Sequence, residues 1–210
     1  MASKQSTRKA DVTRTTRETS VRVELDLDVP GMPEIQTGIG FFDHMLMALA
    51  VHGRLGLLLR ATGDLHVDQH HLVEDVGIVI GQALREALGE DLRVRRFAHA
   101  YASLDDALAR AVVDLSGRAY LHYGVTVSRP VVGGLDTDLV REFFQGLASN
   151  ARINLHIDLL RGENAHHQIE SVFKATALAI RDAVRRVDEL GDVPSTKGTL
   201  SERAAREGSP

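Results

Sequence analysis

Cysteine is absent from the 210-residue chain. Its absence excludes disulfides, zinc–thiolate sites, iron–sulfur clusters and cysteine nucleophiles. No apolar run approaches the roughly 20 residues that span a bilayer, and the polar, basic N-terminus lacks the apolar segment of a secretory signal. The net charge of −4 provides no basic excess for general nucleic-acid binding. We therefore expect a cytoplasmic protein with no membrane and no nucleic-acid partner.

The composition is otherwise that of an ordinary globular protein, with one exception. Hydrophobic residues make up 43% and charged residues 26% of the chain, which predicts one large domain or two small ones. The exception is histidine, of which there are ten. Four of these form two adjacent pairs, which begin at His70 and His166.

The hydrophobic pattern predicts alternating strands and helices after a polar N-terminal arm, residues 1–19. Alternation with a period of two indicates a strand, and a period of 3.6 indicates a helix. Strands are predicted over 21–29, 55–61, 97–101, 108–115, 120–127 and 153–160. Helices are predicted over 41–51, 70–88, 139–148 and 166–187, with Gly89 as a helix stop. Residues 191–210 are predicted to be a loop and polar tail.

An internal repeat underlies this order of elements. The segment HHLVEDVGIVIGQALREAL from His70 matches HHQIESVFKATALAIRDAV from His166, and DHMLMALAVHGRLGL from Asp43 matches REFFQGLASNARINL from Arg141. Each half has the order strands, helix, strand, helix. We therefore predict an α+β fold of two half-repeats, 20–93 and 94–190, within one compact domain. In each half a small sheet is covered on one face by helices.

Each histidine pair opens a helix with the pattern His-His-x-x-Glu. At about 100° per residue, the three polar residues share one face, roughly opposite the apolar stripe of the helix. These residues are His70, His71 and Glu74 in the first helix and His166, His167 and Glu170 in the second. Imidazole and carboxylate ligands suit a borderline or hard divalent ion. One such motif alone is more often a group of polar side chains facing solvent, but two copies at matching places in a repeat predict a metal site.

The spacing also favours two ions over one. Adjacent histidines about 100° apart do not easily bind the same ion, so the simpler arrangement gives each ion one histidine from each pair. Upstream, His44 and Glu142 align in the repeat. Both side chains can ligate a metal, and the alternative for each is a polar residue at a helix terminus.

With these motifs the chain resembles the imidazoleglycerol-phosphate dehydratase family of histidine biosynthesis. The motifs are Arg17-Glu18-Thr19, GFFDHMLMALAVHG from Gly40, HHLVED from His70, Arg96-Phe97, DLSGR from Asp114, HHQIESVFKA from His166 and PSTKG from Pro194. They extend from about residue 17 to residue 200, in the order and spacing of the family. The resemblance is therefore to this enzyme and not only to a fold.

The resemblance implies duplicated half-domains with helices packed between two four-stranded sheets, and two Mn²⁺ ions per subunit. It implies a 24-subunit homo-oligomer with sites between subunits, and dehydration of the small phosphate substrate imidazole glycerol phosphate to imidazole acetol phosphate. By family position, the metal ligands are His44, His70, His71, Glu74, His166, His167 and Glu170. The substrate and phosphate contacts are Arg96, Arg118, Lys174, Ser195 and Lys197, with Glu18 as a carboxylate of the substrate site.

Glu142 departs from the commonest family pattern, because many members have histidine there and some have glutamate. We still predict it to be a ligand, since it aligns with His44, and an oxygen ligand should favour manganese slightly over zinc. Glu18 and Glu170 are the candidates for proton transfer, and His71 is assigned to the catalytic group with them. Lys174 aligns with Ile78, so we expect the second half to contribute more to phosphate binding.

Two other functions fit parts of the pattern. A di-metal phosphate-ester hydrolase would also use two ions and several cations, although such enzymes usually supply several aspartates, and few stand near these histidines in the sequence. A non-catalytic metal-storage or structural shell would use the His/Glu helices as assembly contacts. That alternative leaves Lys174, Arg118 and the PSTKG segment without a role.

Overall fold

Strands and helices alternate along the computed structural model of the chain, in which residues 7–89 and 93–187 are described. The strands are β1 Lys9–Thr15, β2 Thr19–Asp26, β3 Glu34–Gln36, β4 Gly56–Gly63, β5 Phe97–Leu104, β6 Ala107–Asp114, β7 Tyr120–Gly124, β8 Val131–Val132, β9 Leu135–Asp136 and β10 Asn154–Arg161. The helices are α1 Gly40–Gly53, α2 His70–Leu88, α3 Leu139–Ala151 and α4 Ala165–Ala183. Helix α2 has the predicted bounds, and Gly89 caps it.

The strands form two four-stranded sheets with the same connectivity, in the orders β1-β2-β4-β3 and β5-β6-β10-β7. In each sheet the first two strands form an antiparallel hairpin, and the second strand also pairs antiparallel with the strand that follows the first helix of its half. The remaining strand pairs parallel at the edge. The short β8–β9 hairpin lies outside both sheets. The predicted α+β fold with two four-stranded sheets is confirmed.

The predicted boundary at residue 20 is wrong, because the segment assigned to an N-terminal arm contains β1. Lys9–Thr15 pairs with β2 along its whole length. Its inward side chains are Ala10, Val12 and Arg14, and Arg14 is neutralised by an ion pair with Asp75 of α2. Two small apolar residues followed by an inward arginine gave too weak an alternation to predict a strand. The first half therefore begins at β1, as the second begins at β5.

The helices lie between the sheets and pack across the two halves. Helix α2 packs on the first sheet and α4 on the second, while α1 contacts α4 and α3 contacts α2. A cluster of fully buried rings fills the centre, formed by Phe42, Phe143, Phe144 and Phe173. Helices α2 and α3 approach so closely that a Cβ on Gly77 would collide with the Phe143 carbonyl.

This cross-packing determines what can form a site. Since α1 belongs to the first half and α4 to the second, their side chains meet only because the halves are interlocked. The same holds for α2 and α3. No helix within the described ranges is long and apolar enough to cross a membrane.

Candidate metal centre

Three predicted ligands converge where α1 meets the N-terminal turns of α4. The Nε2 atoms of His44 and His166 lie 3.2 and 3.0 Å from Oε2 of Glu170. One ligand atom from each residue lies within 4.8 Å of the other two. Two imidazole nitrogens and a carboxylate oxygen are a donor set that suits Mn²⁺ or a similar divalent ion, so these residues fit the predicted metal.

Glu170 is the most buried member of this cluster, with its side chain 11% exposed. Its second oxygen, Oε1, forms an ion pair with Lys174 Nζ at 2.5 Å. Burial raises the pKa of Glu170, but hydrogen bonds from Lys174 and His166 outweigh that effect and hold the pKa below its ordinary value. Glu170 is therefore a stable carboxylate, with one oxygen facing the histidines and the other held by an ammonium group.

The N-terminus of α4 is built to present its histidine pair. The side chain of Asn164 accepts hydrogen bonds from the backbone N–H groups of His166 and His167. A capping asparagine satisfies N–H groups that have no partner within the helix. The cap therefore fixes the turn from which His166 points toward His44 and His167 points away from it.

The corresponding residues of the other helix pair are Glu142 on α3 and His70 and Glu74 on α2, and their ligand atoms lie farther apart. His70 Nε2 lies 3.9 Å from Glu74 Oε2, and both side chains are nearly half exposed. Glu142 is turned toward its neighbour Arg141, with the charged atoms 3.0 Å apart. Within the described residues, the three-ligand geometry is reached only by His44, His166 and Glu170. The structure thus brings one predicted ligand set together and leaves its counterpart open.

The second histidine of each pair contacts a carboxylate through Nδ1. His71 Nδ1 lies 3.0 Å from Asp64 Oδ2 and 3.8 Å from Glu18 Oε2. His167 Nδ1 lies 2.6 Å from Asp106 Oδ1. The hydrogen bond to Asp64 raises the pKa of His71. Backbone N–H groups and the His167 ring hold the pKa of Asp106 well below its ordinary value.

Asp64 and Asp106 are not among the residues that the sequence predicted for the site, and the prediction of few aspartates near the histidines is wrong, because each of these two contacts a histidine. Asp64 directly follows β4, and Asp106 stands in the turn between β5 and β6. The available signal was an aspartate beside a strand end in each half. That signal is weak, because aspartate is common in turns for local backbone reasons.

Two predicted phosphate ligands lie far from this cluster. The backbone N–H of Arg96 bonds to the Ala183 carbonyl at the C-terminal end of α4, whereas His166 opens that helix. Since an α-helix rises 1.5 Å per residue, these helix ends are about 26 Å apart. The Arg96 side chain pairs with Asp114, Nε to Oδ1 at 2.8 Å, and Arg118 is exposed at the same end of the second sheet. One copy of the chain therefore does not bring these arginines to the His44 cluster.

The remaining predicted contacts are divided between described and undescribed residues. Lys174 is in the cluster, although its ammonium contacts Glu170. Glu18 lies beside His71 in the β1–β2 turn, with its side chain 56% exposed. Ser195 and Lys197 lie outside the described residues.

Comparison with known proteins gives the same family throughout. The family model described as imidazoleglycerol-phosphate dehydratase matches residues 37–180. The imidazoleglycerol-phosphate dehydratase of Salinibacter ruber is 55% identical over 196 residues, which cover 93% of this chain and 97% of the relative. That of Granulibacter bethesdensis is 54% identical over 195 residues, which cover 92% of this chain and 100% of the relative.

Solved structures agree. The crystal structure of imidazoleglycerol-phosphate dehydratase from Staphylococcus aureus subsp. aureus N315 has a TM-score of 0.78 at 40% identity, covering 85% of this chain and 99% of that one. The Pyrococcus furiosus structure, a complex with (S)-C348, has a TM-score of 0.78 at 39% identity, covering 90% and 100%. Fold and sequence together define a dehydratase of histidine biosynthesis. The chain belongs to the imidazoleglycerol-phosphate dehydratase family.

Proposed function

We propose that the protein converts imidazole glycerol phosphate to imidazole acetol phosphate and water, with two Mn²⁺ ions per subunit. The observation that carries this proposal is the convergence of His44, His166 and Glu170. Membership of the family supplies the reaction class. The geometry supplies a donor set suited to the ion.

Pseudo-symmetry extends the proposal to the second ion. Because α3 packs on α2 as α1 packs on α4, Glu142, His70 and Glu74 are the counterparts of the His44 cluster. Rotation of Glu142 away from Arg141 would complete this second set. Each set would then take a fourth ligand from another copy of the chain. His71 would join His44, His166 and Glu170, and His167 would join Glu142, His70 and Glu74, so that each ion would have one histidine from each pair.

The ions, when bound, supply Lewis acidity to the imidazole of the substrate. The protein must also move a proton from carbon and deliver one to the departing hydroxyl. The lowered pKa of Glu170 favours its role as a ligand. Glu18, an exposed carboxylate beside His71, is the stronger candidate for proton transfer.

The positions of the predicted phosphate ligands favour sites that are shared between copies of the chain. Lys174 uses one donor to hold Glu170 and has further N–H donors for a phosphate oxygen. Guanidinium groups bind phosphate well, and we propose that Arg96 and Arg118 contact the substrate phosphate. Because they lie far from the His44 cluster, this role places them in a site formed with a neighbouring copy of the chain. Ser195 and Lys197 complete the proposed contacts. The family resemblance implies a 24-subunit assembly, and we propose that assembly for this protein together with a cytoplasmic location.

The test is incubation of the Mn²⁺-loaded protein with imidazole glycerol phosphate. The expected product is the keto compound with its phosphate still attached, detected by mass spectrometry. Release of inorganic phosphate without the keto product would instead indicate a phosphate-ester hydrolase. Binding of manganese without either reaction would favour the structural shell.

A further inference from the structure

The two histidines that point away from the His44 cluster and its counterpart share one chemical feature. His71 and His167 each direct Nδ1 at an aspartate, Asp64 at 3.0 Å and Asp106 at 2.6 Å. An ionised carboxylate only accepts hydrogen bonds. Nδ1 must therefore carry the hydrogen in both rings, which leaves the Nε2 lone pair of each free for a metal ion.

The two aspartates do not occupy matching places in the repeat. Glu18 directly precedes β2, as Asp106 directly precedes β6, and both stand in the hairpin between the first two strands of a sheet. The repeat counterpart of Asp106 is therefore Glu18. Asp64 directly follows β4, and the residue that directly follows β10 is Gly162, which has no side chain to contact a histidine.

We propose that Asp64 and Asp106 are positioning residues that fix the metal-binding tautomers of His71 and His167, and that Asp64 thereby frees Glu18 for the substrate. This inference rests on the proposed function. In the second half, the hairpin carboxylate itself orients the histidine. In the first half, a carboxylate from the end of β4 has taken over that contact, so the hairpin carboxylate is available for chemistry.

The surroundings of Asp106 support the orienting role. Its Oδ2 accepts backbone hydrogen bonds from Glu163 and Asn164, and Asn164 caps the helix that begins with His166 and His167. Its Oδ1 is left for His167. One carboxylate therefore ties the β5–β6 hairpin, the start of α4 and the His167 ring into one rigid unit.

The surroundings of Asp64 support the release of Glu18. The backbone N–H of Asp64 donates to the Glu18 carbonyl at 3.1 Å, which fixes the main chain of the β1–β2 turn. The Asp64 side chain is 17% exposed, whereas that of Glu18 is 56% exposed. Glu18 is thus anchored through its backbone, and its carboxylate faces outward.

The two sites respond differently to asparagine. In Asp106→Asn, the two backbone N–H groups claim the amide oxygen, so the NH₂ group faces His167 Nδ1. That contact forces the hydrogen onto Nε2 and blocks metal binding, which is the wrong-tautomer effect. In Asp64→Asn, Oδ1 has no hydrogen-bond partner within the described residues, so the amide can turn its oxygen toward His71 and keep the tautomer.

The experiment measures Mn²⁺ affinity and stoichiometry by calorimetry on the full chain, with the melting temperature in EDTA recorded in parallel. Loss of an orienting partner typically lowers metal affinity 10- to 100-fold. We expect that loss at one class of sites in Asp106→Asn and Asp64→Ala, and less than about fivefold loss in Asp64→Asn. Asp11→Asn is the control, because Asp11 is an exposed carboxylate paired with Arg22. Glu18→Gln should keep both metals.

A purely structural role predicts another pattern. It would lower the melting temperature in EDTA in parallel with affinity, and Asp64→Asn would resemble Asp64→Ala. Either result overturns the proposal, as does loss of manganese in Glu18→Gln.

Nitrogen-15 shifts of His167 in metal-free Asp106→Asn supply a second signature, because hydrogen should move from Nδ1 to Nε2. If Asp106→Asn does not fold, the contrast between the Asp64 variants still decides. None of these measurements needs substrate, so failure of the dehydratase proposal is detected separately.

Discussion

The two helix pairs of this molecule have the same architecture but differ at the proposed ligand sites. Where α1 meets α4, Glu170 is nearly buried, held by Lys174 and in contact with His44 and His166. Where α3 meets α2, Glu74 is nearly half exposed, and Ile78 replaces the lysine. Duplication thus preserved the backbone that places the proposed ligands, while the electrostatic surroundings of the two glutamates diverged.

That difference gives one set of proposed ligands that is formed before an ion binds and one that must rearrange to bind it. Charge balance by Lys174 makes the α1–α4 cluster a preformed site whose carboxylate is oriented without an ion. The α2–α3 set depends on rotation of Glu142 and on ligands from elsewhere to close. We therefore expect both sets to bind metal, but only the α1–α4 set to contribute to the stability of the metal-free protein and to phosphate recognition.

Metal removal tests both halves together and should have the largest effect. EDTA should abolish dehydratase activity, and Mn²⁺ should restore it. Because metal binding stabilises the assembled state by mass action, EDTA or His71→Ala should also yield smaller oligomers, measured by size-exclusion chromatography with light scattering. An unchanged large particle after manganese removal, confirmed by elemental analysis, would show that the ions do not join the subunits.

Matched substitutions separate the halves. Glu170→Gln and Glu74→Gln should each reduce the manganese content by about one ion per subunit. Glu170→Gln should also lower the free energy of unfolding in EDTA by about 1–3 kcal/mol, because it leaves nearly buried Lys174 without its anion. Glu74→Gln should change that free energy by less than about 0.5 kcal/mol, since its site is exposed. Equal destabilisation in urea titrations would contradict the asymmetry.

The lysine itself supplies the next test. Lys174→Ala should raise KM or lower kcat/KM by about 10- to 100-fold, the loss of one or two charge-assisted hydrogen bonds, while metal content stays intact. Ile78→Ala at the matching place is the control and should leave KM unchanged. Loss of manganese without a change in KM would make Lys174 a support for Glu170 alone.

Substitutions at Glu142 test whether it binds an ion together with His70 and Glu74. Glu142→His should retain metal, because imidazole also ligates Mn²⁺, whereas Glu142→Ala should weaken binding at one ion per subunit. Calorimetric titration with Mn²⁺ measures both. Unchanged affinity and stoichiometry in Glu142→Ala would remove it from the ligand set.

Sequence was sufficient for the elements with strong periodicity. The two long helices carry continuous apolar stripes, and their paired His-His-x-x-Glu starts mark the repeat, so α2 is predicted with its bounds. Residues 9–15 were missed because β1 presents Arg14 on its inward side. In the sequence, Arg14 has the pattern of a solvent-exposed residue. Only the packed structure shows that Asp75 of α2 neutralises it on the inward side.

The site divides in the same way. Ligands within one helix follow from local periodicity, so His166 and Glu170 were predictable together. Asp64 and Asp106 contact histidines on other elements, and only the sheet connectivity shows that Asp106 corresponds to Glu18. Tertiary contacts of this kind leave no periodic trace in the chain.

The smallest predicted effect concerns a second matched pair. Arg8 directly precedes β1 as Arg96 directly precedes β5, and each pairs with an aspartate, Asp28 or Asp114. Arg8 also donates to the Val184 carbonyl just beyond α4, so it fastens the first half to the second. Whereas Arg96 is a proposed phosphate ligand, we expect Arg8 to be purely structural.

Its contribution should depend on pH. The Arg8 guanidinium, against a smaller opposing effect of burial, holds the pKa of Asp28 below its ordinary value. A carboxyl group whose pKa is lower in the folded state stabilises the fold above its unfolded pKa of about 4, and that contribution is lost as pH falls through the folded pKa. Because Asp28 is 36% exposed, solvent screening limits the effect to about 0.5–1 kcal/mol.

Asp28→Asn should therefore be less stable than the unmodified chain at pH 7, and the difference should shrink toward pH 3, in urea titrations with EDTA present. Activity at saturating Mn²⁺ should not change, whereas a fall in kcat/KM would give Arg8 a share in the phosphate site that we assign to Arg96.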